Sequence, residues 1–238
     1  MKGLEEGELL YEGKAKQLFK TDDPDVLLIR YKDQATALDG LKKEDISGKG
    51  EFNNAIASIF FRILRDNGVE NHFIRQVSSR EMLVRNVQII PVEVVVRNIA
   101  AGNMAKRLGM EEGTALQKPV KEFYLKDDEL HDPLLNHDHV EMLELASPAE
   151  IVRMEELSLK VNDILKKYLK ELDIILVDFK LEFGRWQGGL ILADEVSPDT
   201  CRFWDAGTGE KLDKDRFRRD MGGILEAYGE VLTRLKGE

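Results

Sequence analysis

Asp178, Lys180 and Glu182 recur at every second residue within the apolar segment VDFKLEFG, residues 177–184. In a β-strand this spacing places three charged side chains on one face and Val177, Phe179, Leu181 and Phe183 on the other. Two readings follow. One is a sheet strand whose charged face meets water, a common arrangement; the other is a charged site built on a sheet. Asp194 lies in the segment that returns after the turn RWQGG. An odd number of loop residues there would place it on the same face as Glu182. Two carboxylates beside a lysine suit Mg²⁺ and a polyphosphate, because Mg²⁺ takes one or two carboxylates together with phosphate oxygens.

Three other stretches carry groups that could bind anions. GKAK, residues 13–16, has Lys14 and Lys16 two apart after a glycine. On a strand both would face one side and hold phosphates as point charges, or they are surface lysines. Neither a GxxxxGK[ST] loop nor GxGxxG occurs in the chain. In VVVRNIAAGNMAKR, residues 94–107, an apolar strand ends at Arg97-Asn98 and a turn with Gly102 leads into a short helix. Helix-start N–H groups and a nearby guanidinium can grip phosphate, although a plain strand–turn–helix connection has the same pattern. In DEVSPDTCRFWD, residues 194–205, Ser197-Pro198-Asp199 reads as a turn and Arg202 sits among aromatics. His137-Asp138-His139 reads as acidic surface, His72 and His131 as structural or substrate-adjacent groups, and Cys201 as a small buried hydrophobe.

The elements that must position these groups are legible in outline. The first forty residues read as short strands with turns, and residues 52–67 as a helix with Ile56, Ile59, Phe60, Ile63 and Leu64 at helical spacing and Gly68 past its end. Strands follow to about residue 99, with Pro91 at a strand start or bulge. Residues 103–110 predict a short helix, and the stretch to about 146 reads as loop-rich. Ser147-Pro148-Ala149-Glu150 is a capping box with Pro at the first helical position. Ile151, Met154, Leu157, Val161, Leu165 and Leu169 then mark one helix face. A hairpin through RWQGG and a closing helix over residues 213–236 complete the pattern. The expected organisation is a strand-rich N-terminal lobe (1–80) joined to a mixed C-terminal lobe (81–238). There is no internal repeat, low-complexity tract or flexible linker.

Composition narrows the class. Of 238 residues, 42% are hydrophobic and 34% charged, as in a globular protein. The net charge of −10 argues against a nucleic-acid partner. No apolar run approaches a bilayer span, which argues against a membrane partner, and MKGLEEGELL lacks the pattern of a signal peptide. The single cysteine points to a reducing cytoplasm.

From about Leu10 to Leu235 the chain resembles the SAICAR synthetase (phosphoribosylaminoimidazole-succinocarboxamide synthase) family of de novo purine synthesis. The likeness is carried, in order, by YEGKAK, ATALDG, KGEFNN, PVEVVVRNIAAG, KRLGMEEG, LHDP, VDFKLEFG, LADEVSPDTCRFWD and LDKDRFRRDMGG.

The resemblance implies ATP-dependent joining of L-aspartate to a carboxyaminoimidazole ribonucleotide, with release of ADP and phosphate. It implies an α+β fold, with an antiparallel N-terminal sheet over ATP and a larger mixed lobe, loosely like kinases and ATP-grasp enzymes, and a homodimer. Lys14, Lys16 and Lys126 correspond to nucleotide ligands, and Glu182 and Asp194 to Mg²⁺ carboxylates, with Asp178 and Lys180 completing the charged face. Arg97 and Arg202 correspond to binders of the ribonucleotide 5′-phosphate, and Asp39 and Arg218 lie near the imidazole substrate or aspartate. Two positions depart from the pattern. Asn103 replaces a phosphate-binding serine and can still donate from its amide, and Leu38 replaces a glycine before Asp39. A kinase would share the lysines and carboxylates, but the HRD motif is absent. A non-catalytic nucleotide-binding module would need only one of the two ligand sites.

Overall fold

The computed structural model describes residues 7–37 and 40–237. Short apolar runs broken by Gly, Asp and Pro give β1 (Leu9–Glu12), β2 (Lys16–Lys20) and β3 (Val26–Tyr31), followed by a small hairpin of β4 (Gln34–Ala37) and β5 (Lys42–Asp45). The helix α1 (Lys49–Asp66) comes next, then β6 (Phe73–Gln76) and β7 (Glu81–Arg85). The first sheet has the order β1-β2-β3-β7-β6, with every pair antiparallel. Its strand β7 lies beyond residue 80 and pairs with β3 and β6 of the same sheet.

The rest of the chain continues through β8 (Gln88–Ile99), α2 (Gly102–Leu108), β9 (Ala115–Leu125), β10 (Leu134–Leu135) and α3 (His137–Met142). It then forms α4 (Pro148–Lys170), β11 (Ile174–Trp186), β12 (Gly189–Ala193), β13 (Cys201–Asp205), α5 (Asp215–Arg218) and α6 (Ile224–Lys236). The second sheet has the order β10-β9-β8-β11-β12, with β13 also on β11. β11 is the axis of this sheet. β8 covers one edge, and β13 and β12 share the other, pairing with its first and second halves respectively.

Local signals account for the long helices. The Ser147 hydroxyl accepts from the Glu150 N–H at 3.3 Å, and the Glu150 carboxylate accepts from the Ser147 N–H at 2.8 Å. The stripe from Ile151 through Leu169 is buried as its spacing requires, and α4 packs on β11 and β8. In α1, Ile56, Phe60 and Leu64 are buried, and the helix packs against α6. Gly68 follows its end at φ 76. One continuous core runs from Tyr31 and Phe60 through Phe179 and Phe203 to Val231.

Three local expectations are corrected. Much of the stretch read as loop-rich is an eleven-residue strand, β9. Its apolar alternation is masked because Glu122 turns toward a charged cluster, and Pro119 lies where the register with β8 breaks. The closing helix is two helices, since Asp220, Gly222 and Gly223 have φ of 56, 69 and 64 and end α5 before α6 begins. Lys14 lies in the turn between β1 and β2, closed by Gly13 N–H to Lys16 C=O at 2.8 Å, and shares no strand with Lys16.

Candidate active site

Lys180 is the hub of the charged face of β11. Its Nζ donates to Glu182 Oε1 at 2.7 Å and to Glu93 Oε1 on β8 at 2.8 Å, and lies 3.6 Å from Asp194 Oδ2. Lys16, from the first sheet, bonds Asp194 and lies 3.0 Å from Glu195. Lys126, just beyond β9, bonds Glu182. Lys14 donates to Asp128 at 2.7 Å at the exposed rim. All of these side chains line one cavity of about 600 Å³ between the two sheets. Its other wall is apolar, with Leu18 and Ile29 from one sheet and Val84, Val87 and Ile89 nearby. An apolar slot above a charged floor suits a heterocycle that carries phosphates.

The approach of Asp194 to Glu182 does not come from strand parity. Trp186 pairs with Gly189, leaving Gln187 and Gly188 as a two-residue loop at φ 46 and 80. The loop is even, so Glu182 lies opposite Ala193, and strict alternation would turn residue 194 away. Instead β12 ends at Ala193 and Asp194 adopts φ 57, a left-handed conformation that Asp tolerates. This turn brings its carboxylate to Lys16 and Lys180. The odd-loop condition fails, yet the two carboxylates converge.

At Asp194 and Lys180 opposite charges outweigh the cost of burial. Burial opposes ionisation of Asp194, but the Lys16, Lys180 and Lys126 ammonium groups outweigh it and hold the carboxyl far below its usual range. Burial likewise opposes the charge on Lys180, which Glu182, Asp194 and Glu93 outweigh, raising its pKa well above the ordinary value. Glu93 is shifted upward by burial, with Lys180 opposing. His72, on the cavity wall, is pushed down to about 3 by burial and by Lys16, so its imidazole is neutral. Among the described residues no group of three or more His, Cys, Asp or Glu side chains is arranged to hold a metal. Glu182 and Asp194 form a carboxylate pair, a donor set that suits a hard cation sharing phosphate oxygens.

The neighbouring position on the same strand face serves a second cluster. Asp178, buried, accepts from Arg97 Nη1 at 2.7 Å and from Arg202 Nη1 at 2.9 Å. Arg97 Nε donates to Glu122 at 2.6 Å, and Arg107 bonds the same carboxylate. Arg202 Nε and Arg218 Nη1 donate to the two oxygens of Asp215 at 3.0 and 2.7 Å. Burial opposes ionisation of Asp215, but Arg202 and Arg218 outweigh it and take its pKa down to about 2. Gly102, at φ 56, opens α2 against Arg202, where a Cβ would come 2.8 Å from the guanidinium carbon. Asn103 follows it, exposed. The face predicted from spacing is thus divided, with Lys180 and Glu182 in the cavity and Asp178 among arginines.

Asp39 and the Leu38 departure lie outside the described residues. Sequence reasoning missed Glu93, Glu195, Lys214, Asp215 and Glu122. Glu93 had a signal, as a lone charge inside the apolar run PVEVVVRN. Glu195 adjoins Asp194, but adjacency alone did not place it against Lys16. Asp215 and Lys214 follow an ordinary charged helix-start pattern and carried none.

The comparisons with known proteins agree with this geometry. The family model described as SAICAR synthetase matches residues 9–235. Phosphoribosylaminoimidazole-succinocarboxamide synthase of Persephonella marina is 58% identical over 233 residues, 98% of each chain. The crystal structure of the protein of that name from Ehrlichia chaffeensis superposes with a TM-score of 0.95 at 45% identity, over 96% of this chain and 98% of that one. A SAICAR synthetase solved in complex with ADP gives 0.94 at 50% identity, over 97% and 98%. Agreement over nearly the whole length in both sequence and backbone means that the chain belongs to the SAICAR synthetase family.

Proposed function

We propose that the protein is an ATP-dependent carbon–nitrogen ligase of de novo purine (IMP) biosynthesis. It joins L-aspartate to the carboxylate of 5-amino-1-(5-phosphoribosyl)imidazole-4-carboxylate, giving the succinocarboxamide ribonucleotide, ADP and phosphate. The observation that carries this reading is the family match over residues 9–235, taken with a cavity that has an apolar slot and a lysine-lined floor. The relative with bound ADP supports a nucleotide ligand, and the lysine-lined floor is the reason for assigning it to that cavity.

A carboxylate is a poor acyl donor, so it must be activated by phosphoryl transfer before an amine can attack it. Such transfer relies on positioning and on cationic groups around the phosphates. Lys14, Lys16 and Lys126 reach into the cavity from three separate segments and would hold the polyphosphate. Lys180 would orient the reacting carboxylate beside Glu182 and Asp194. Glu182 and Asp194 are the residues that would hold Mg²⁺, which when bound neutralises charge on the polyphosphate. On binding, the lysines would exchange these carboxylates for phosphate oxygens. Arg97 and Arg202, with Gly102 and Asn103 alongside, would receive the 5′-phosphate, Arg218 would lie near the imidazole or aspartate, and Asp178 and Asp215 hold the guanidinium groups in place. Asp39 would act near the imidazole or aspartate.

The two sheets suggest an N-terminal lobe that covers ATP and a larger lobe that carries the ribonucleotide. Exposed Leu134, Met142 and Leu143 around β10 and α3 support a homodimer. A lone buried cysteine whose thiol is pushed up by burial suits a reducing cytoplasm. No described helix is long and apolar enough to cross a membrane.

A coupled ADP-release assay tests the reaction. ADP should appear only when the imidazole carboxylate and L-aspartate are both present. Release that is indifferent to aspartate would refute the ligase and favour a kinase.

A further inference from the structure

Lys214 opens α5 and is held there by its N–H bond to the Pro198 carbonyl at 3.1 Å. Its side chain lines the same cavity as Glu182 and Asp194. The acid it approaches is Asp199, with Nζ 3.7 Å from Oδ2. That oxygen already belongs to Lys49 of α1, whose fully buried Nζ donates to it at 2.6 Å. The other oxygen accepts from the Tyr228 hydroxyl of α6 at 2.6 Å. One buried carboxylate therefore faces two ammonium groups, and Lys49 holds the closer contact. Arg218, on α5 itself, adds a further positive charge, while Glu195 is engaged by Lys16 at 3.0 Å and by the Ser197 hydroxyl at 2.6 Å. Of the two lysines on Asp199, Lys214 is the one that lines the cavity.

We propose that Lys214 is the general base that takes a proton from the α-ammonium group of L-aspartate before its nitrogen attacks the activated carboxyl. The assignment rests on the ligase reading above. Burial, with Lys49 and Arg218 nearby and Asp199 opposing, brings the Lys214 pKa down to about 8, so a useful fraction is neutral amine near neutral pH. The amine lone pair of Lys214 accepts one proton from the aspartate ammonium. The freed nitrogen pair forms the C–N bond. The bond from the acyl carbon to the phosphate-bearing oxygen breaks, and its electrons leave with phosphate, which carries away the second nitrogen proton. The Lys214 ammonium then returns its proton to water through the cavity.

The test is the pH dependence of aspartate-dependent ADP release. For the wild-type enzyme, kcat/KM for aspartate should rise with a slope of about one and level off near the Lys214 value. Lys214→Arg and Lys214→Met should lower kcat by about 100-fold or more and lose that limb, with KM for ATP nearly unchanged. The proposal is overturned if the wild-type limb follows only the higher pKa of the aspartate amine, a measurement that needs no variant. It is also overturned if Lys214→Arg keeps kcat and its limb while KM for aspartate rises, which would make Lys214 a carboxylate-binding cation. No aspartate-dependent ADP release from the wild type at any pH would remove the ligase reading, and the base with it.

Discussion

Glu182 and Asp194 reach the same ammonium group, that of Lys180, from positions that strand alternation would place on opposite faces. The left-handed residue at 194 reconciles them. Burial without its three lysines would push the Asp194 carboxyl toward taking up a proton, and Lys16, Lys180 and Lys126 outweigh that burial and keep it ionised.

Glu182→Gln and Asp194→Asn should therefore each cut kcat by roughly 100-fold or more, since metal-linked charge stabilisation is worth several kcal/mol. Circular dichroism should show an unchanged fold. Rates near wild type at saturating Mg²⁺ would exclude these two as the metal carboxylates.

Gly102→Ala should destabilise the protein by about 1–3 kcal/mol, because φ 56 strains an L residue and the added methyl meets Arg202. KM for the imidazole ribonucleotide should rise while KM for ATP stays close to wild type. Thermal unfolding and substrate titration measure both, and an equal rise in the two constants would argue against a local effect.

Lys49→Met should cost roughly 3–5 kcal/mol, since it leaves the Asp199 carboxylate buried beside Tyr228 without its closest cation. Adding Asp199→Asn should recover part of that loss by removing the stranded charge. Denaturant unfolding of the single and double variants decides it, and strictly additive losses would contradict the pairing.

The start of α4 sets an acid-side pH dependence. Arg185, foremost, and the Ser147 N–H and hydroxyl hold Glu150 at about 2, below its ordinary 4.5. A depressed carboxyl contributes stability that is complete above 4.5 and disappears as the pH falls through about 2. Arg185→Met should lower Tm at neutral pH, with the difference from wild type closing toward pH 2. A difference that is constant across this range would count against the linkage.

Features that depend on neighbours along the chain are legible in the residues themselves. The Ser147–Glu150 capping box and the Ile151–Leu169 stripe are set by hydrogen-bond reach and helical period, and α4 follows them closely. The alternation of β11 likewise announces one charged and one apolar face. Where a residue's surroundings come from distant elements, the local pattern misleads. The polar residues of β9 hide a strand because Glu122 answers Arg97 across the sheet. Asp178 looks like a companion of Lys180, yet Arg202 and Arg97 claim it.

By itself, then, the sequence determined the long helices, the amphipathic character of β11 and, through its ordered motifs, the family. Only the tertiary structure decided which charges share a site. Lys16 and Asp194 are 178 residues apart, and nothing in either segment specifies the other. They meet because two sheets close over a common core, and burial then requires each charge to find a partner.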